Sequence, residues 1–161
     1  MNSCTSATEK RGQTMINKKY LIDHIILLEE IGIQEEHLQE IEEEITMIPA
    51  RNNDGMPHGS RKENDRMADK IERKEKIEEK LQILRIKEKE ERGRIEKSMG
   101  STKLDAIEEQ TIYLRYICGY DWARVQKILF IKKNDYYLKE QSYKRRMFRI
   151  HKKALEKMNI G

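Results

Sequence analysis

The chain has 161 residues, of which 39% are charged and 37% hydrophobic, and its mean hydropathy is −0.92. Soluble domains average about 25% charged and 45–50% apolar residues, so one large apolar core is excluded. Aromatic residues at 6% and only two prolines also exclude an aromatic-rich β-sandwich, a collagen and a Pro-rich linker protein. Lys, Glu, Arg, Ile and Leu dominate, as in long solvated helices and coiled coils, and the expected class is all-α.

Residues 1–16 are polar and aperiodic and read as a disordered tail, with Met15 a candidate true start. From there Leu21, Ile25 and Leu28 recur at helical spacing up to Gly32. Leu38, Ile41, Ile45 and Ile48 repeat the pattern up to Pro49. A glycine stop between two such runs predicts a helical hairpin over 17–48. Residues 49–65 hold both prolines and many turn formers, a flexible linker. Residues 66–99 predict a charged, coiled-coil-like helix. Ile77, Leu81 and Leu84 make a short a/d seam that must pack on the N-terminal helices or on another copy, and a homodimer through these helices is one expected partnership.

Charge divides the chain. From Lys103 onward there are 14 basic and 7 acidic side chains, whereas residues 1–102 carry a net charge of −3. A basic half points to a polyanion. The same half holds the only Trp and six of the seven Tyr, and it reads as three helices at about 105–118, 121–130 and 140–158. Gly119 separates the first two, and Asp121 is a good N-cap. Val125, Ile128 and Leu129 form the expected buried stripe of the middle helix. In the last helix Tyr143, Met147, Ile150, Ala154 and Met158 make one apolar face. Lys144, Arg145, Arg146, Arg149, Lys152 and Lys153 occupy the rest. Such a helix suits phosphates. It also suits membrane surfaces, calmodulin-type partners or an acidic helix, including the chain's own 35–48.

Three short helices, the last one basic, have the layout of a helix-turn-helix domain. The segment Glu109–Leu129, with Leu114-Arg115-Tyr116, a glycine turn and then Asp121-Trp122, resembles the C-terminal promoter-reading domain of bacterial sigma factors (region 4). The segment Tyr143–Met158, with Arg149, His151, Ala154 and Leu155 in its terminal pattern, is similar to the recognition helix. The whole chain resembles phage-encoded regulators of the late-gene activator type, which carry such a C-terminus behind charged helices. The departure is Phe130–Gln141, longer than the usual tight turn.

The resemblance implies an all-α transcriptional regulator with a helix-turn-helix over 104–160, acting on double-stranded DNA in the cytoplasm, at the nucleoid of a bacterial host. Host RNA polymerase is a further partner. It places Gln141, Ser142, Lys144 and Arg145 at the start of the recognition helix as base-reading candidates, because Arg and Gln pair bidentately with guanine and adenine. Arg146, Arg149, Lys152 and Lys153 are the phosphate candidates. Trp122 is expected as a core anchor, and Tyr113, Tyr116, Tyr136 and Tyr137 as packing or backbone-edge residues.

No enzymatic chemistry is expected. His24, His37, His58 and His151 are scattered, Cys4 and Cys118 lie far apart, and neither a metal-ligand spacing nor a phosphate-cradling glycine loop occurs, so no metal or cofactor is expected. Cys118 reads as a small buried apolar residue. No apolar run is longer than the four residues of Ile25–Leu28, far short of the roughly 20 residues of a membrane span. The alternative function is a non-enzymatic helical interaction protein, a coiled-coil assembly factor or a small DNA-packaging subunit, whose basic helix meets an acidic protein or DNA without reading sequence.

Overall fold

The computed structural model describes residues 16–47 and 61–160, the side chains of 61–65 excepted. The expected tail up to residue 15 and the expected linker over 49–60 lie outside the described residues. The elements are α1 (Lys18–Thr46), α2 (Arg61–Gly100), α3 (Ala106–Ile112), which continues into a π-helical stretch (Tyr113–Ile117), α4 (Trp122–Phe130) and α5 (Glu140–Lys157). The described residues are all-helical, and no helix among them is long and apolar enough to cross a membrane.

The hairpin predicted within 17–48 is absent, because α1 runs unbroken through Gly32. A mid-helix glycine costs only about 1 kcal/mol relative to alanine. Here Leu27 and Ile31 before it and Leu38 after it dock on one seam of α2, against Ile77, Leu81 and Leu84. That shared burial outweighs the glycine. Asn17 starts α1, its side chain accepting the Tyr20 N–H at 2.8 Å. Helix α2 begins at Arg61, inside the expected linker.

The hairpin that does form joins α1 to α2, antiparallel. Glu30–Lys80, Glu35–Arg85, Glu42–Lys74 and Glu44–Lys70 cross it at 2.8–3.0 Å. These exposed pairs lie along the length of the hairpin and add little stability each. They also give the acidic 35–48 segment its partner, which is α2 rather than the basic last helix.

Two further cores complete the molecule. A joint core gathers Leu21 and Ile25 of α1, Ile95 and Met99 of α2, Ile112, Tyr116 and Ile117 of the α3–π segment, and Ala154, Leu155, Met158 and Ile160 at the end of α5. Ile16, assigned to the tail by composition, packs on it. The third core, Leu114, Val125, Phe130, Tyr136 and Met147, lies between α3, α4 and α5.

Candidate nucleic-acid interface

The π-helical stretch is what lets one segment serve both cores. A wider turn shifts successive side chains around the axis. Leu114 thereby faces the α4–α5 core while Tyr116 and Ile117 face the joint core. The stretch closes with Cys118 N–H donating to the Tyr113 carbonyl at 3.0 Å. Gly119 then turns the chain with φ +68°, where a side chain would be strained, and a Cβ there would lie 3.2 Å from Leu28 of α1. Arg115 secures the turn by donating to the Tyr120 carbonyl at 2.7 Å. Cys118 is half-buried against the third core.

Helix α4 starts on the Asp121 cap, which accepts the Arg124 N–H at 2.7 Å. Its inner face is Val125, Gln126 and Phe130. The expected stripe is therefore rotated: Leu129 is half-buried, and Ile128 points to solvent. Gln126 explains the rotation. Its buried side chain donates to the Glu140 carbonyl at 3.0 Å and ties α4 to the first turn of α5.

The connection between α4 and α5 is a run of hydrogen-bonded turns rather than a further helix. Tyr136 is buried in the third core, whereas Tyr137 and Leu138 are 78% and 88% exposed. Of the two expected roles, packing or backbone edge, Tyr137 does not take the first in the core, whereas Tyr136 does. The connection is clasped to α5 by Asp135, which accepts from the Tyr143 hydroxyl at 2.6 Å and pairs with Lys139 at 2.9 Å. The hydroxyl first, then Lys139, holds the Asp135 carboxyl down at about 2. Nothing in hydropathy pointed to this clasp.

Helix α5 buries Met147, Ala154 and Leu155, with Tyr143 and Ile150 half-buried on the same side. It ends in a Schellman motif: Asn159 adopts φ +56°, Ile160 N–H donates to the Leu155 carbonyl at 2.9 Å, and Asn159 N–H to Glu156 at 3.1 Å. Ile160 then packs with Leu155 in the joint core.

The polar face of α5 divides in two. Gln141, Ser142, Lys144, Arg145, Arg146, Arg149 and Lys152 are exposed together. Among the described residues no carboxylate pairs with Lys144, Arg145, Arg146 or Arg149. Arg146 lies over the Phe130 ring at 5.8 Å, and Lys152 is 3.8 Å from Glu156. Lys153 is different. It reaches Asp105 at 3.4 Å and Glu108 at 3.2 Å, and Lys157 joins Glu108 at 2.6 Å. Glu108 is buried and also accepts the Asp105 N–H at 2.8 Å. Burial pushes its carboxyl up, but that N–H, Lys157 and Lys153 together bring it down to about 2. Lys153 thus latches α5 to α3 and is not among the unpaired cations.

Trp122 is half-buried, edge-on to Phe148 and His151 at 5.1 and 4.8 Å, with Arg115 over its ring at 5.1 Å. His151 Nε2 lies 2.9 Å from the Tyr116 hydroxyl. Burial, reinforced by Lys18 and Arg115, pushes the imidazole from 6.5 down to about 4. The folded protein thus excludes a proton that the unfolded chain takes up near pH 6.5, and this contribution is complete above 6.5 and lost as the pH falls toward 4. The thermal midpoint is expected to drop between pH 6.5 and 5, and His151→Gln to flatten that drop. An unchanged slope would refute the assignment.

Among the described residues no group of His, Cys, Asp and Glu is placed to hold a metal ion. Comparison with protein-family models, curated proteins and solved structures returned no match.

Proposed function

We propose that the chain is a sequence-specific DNA-binding transcriptional regulator of the phage or prophage type. In this reading α4 and α5 form a sigma-like helix-turn-helix, and α5 lies in the major groove. The observation that carries it is the cationic row Lys144, Arg145, Arg146 and Arg149, unpaired among the described residues, on a helix whose opposite side is anchored in two cores. An anchored helix presenting cations that meet no counter-charge among the described residues suits a phosphate-lined groove, and each neutralised phosphate releases condensed counterions.

Gln141, Ser142, Lys144 and Arg145 lie in the first turns of α5 and read base edges; Arg146, Arg149 and Lys152 hold phosphates. Lys153 drops out of the phosphate set because its ammonium belongs to Glu108 and Asp105. The α1–α2 hairpin offers the surface for further protein contacts, host RNA polymerase included. The test is enrichment of random duplexes by the purified full chain at rising salt. A regulator enriches one sequence and keeps that preference while affinity for random duplex falls steeply. Uniform loss of all duplexes with salt, with no sequence enriched, would instead support the assembly-factor reading.

A further inference from the structure

Along the outward side of α5, Gln141, Arg145, Phe148, Lys152 and Glu156 follow one another at four, three, four and four residues, a single helical stripe. Phe148 is its one apolar member, and 39% of that residue is exposed. Its neighbours one turn away are Lys144 and Arg145 before it and Lys152 after it, all exposed. Glu156 closes the stripe in the last turn, 3.8 Å from Lys152. The Phe148 ring is braced from the side. Trp122 of α4 stands edge-on to it at 5.1 Å between centroids, and Trp122 itself is set between Arg115, over its ring at 5.1 Å, and His151 at 4.8 Å. The fold thus holds an aromatic surface between the turn that carries Gln141 and Arg145 and the turns that carry Arg149 and Lys152, on a side of the helix that is otherwise polar.

Phosphates and hydrogen-bonding base edges gain nothing from such a surface. The major groove offers one apolar group, the C5-methyl of thymine, and phenylalanine is among the side chains that meet it. We infer, resting on the DNA-binding reading above, that Phe148 packs on a thymine methyl of the bound duplex and so determines part of the sequence that α5 selects. Gln141 and Arg145 then read hydrogen-bonding edges, Phe148 reads a methyl group, and Trp122 is a positioning residue that acts through the Phe148 ring.

Deoxyuridine differs from thymidine in that methyl group alone. Each thymidine of the duplex enriched by the full chain is replaced in turn by deoxyuridine, and affinity is measured by titration. For the wild-type protein one replacement weakens binding about four-fold, the worth of one buried methyl-sized group. Phe148→Ala binds the two duplexes equally, and Phe148→Leu, which keeps an apolar side chain, retains the preference for thymidine. A ring with a structural role only would lower the urea midpoint of Phe148→Ala and leave the ratio between the two duplexes as it is in the wild type. An enriched sequence in which no thymidine is sensitive overturns the inference and leaves the DNA-binding reading standing. So does a sensitive position that Phe148→Ala still distinguishes. A ring packed on deoxyribose makes Phe148→Ala weaker on both duplexes with no thymidine sensitive in the wild type, and that also overturns it. If no duplex is enriched at all, the DNA-binding reading fails and the role of Phe148 fails with it.

Discussion

Replacing Arg149 and Lys152 together by alanine is expected to weaken binding to all duplexes alike, on the order of ten- to a hundred-fold, and to lower the slope of log affinity against log salt by about 2. Both side chains are exposed on the outward face of α5. Replacing Lys144 and Arg145 should act differently. They sit nearer the start of the helix, and losing a base-edge contact relaxes sequence choice by about 1–3 kcal/mol at the base concerned. Lys153→Ala provides the internal control. Its ammonium is held by Asp105 and Glu108, so it should leave the salt slope untouched and lower the thermal midpoint. Fluorescence titrations of the three variants against an enriched and a random duplex decide the matter. If Lys153 shifts the salt slope and Arg149 with Lys152 does not, the division of the α5 surface is incorrect.

Phe130→Ala should be the most damaging single truncation in the C-terminal half. The ring is 1% exposed in the third core, 5.0 Å from Tyr143 between ring centroids. Large-to-small changes at such sites cost about 3–5 kcal/mol. Because Phe130 also supports Arg146, the variant should lose ordered presentation of α5 along with stability, measurable as a lower urea midpoint. Leu138→Ala, eight residues on and 88% exposed, should stay within about 0.5 kcal/mol. Equal losses for the two would contradict the packing described above.

The helices of the C-terminal half were legible because each carries a local signal. Gly119 turns the chain, Asp121 caps α4, and the apolar period of α5 has no interruption. The α1–α2 hairpin was not, because Gly32 is a local stop signal while the seam that overrides it comes from residues about fifty positions away. The rotation of α4 was hidden for a related reason. Its buried face includes Gln126, a polar residue whose partner is a backbone carbonyl on α5. The cationic side of α5 was visible as charge, but charge alone does not distinguish Arg149, exposed and unpaired among the described residues, from Lys153, whose partners Asp105 and Glu108 lie more than forty residues upstream.

The joint core has a practical corollary for anyone wishing to excise the basic half. The last helix belongs to two neighbourhoods at once, its middle to the small three-helix unit and its end to the root of the long antenna. A fragment starting near Leu104 would lay bare Ile112, Tyr116, Ile117, Leu155 and Ile160 together, a sticky flank where the intact molecule has a seal. The antenna is therefore no detachable accessory, because its root and the end of the rod that carries the arginines are sealed in one core.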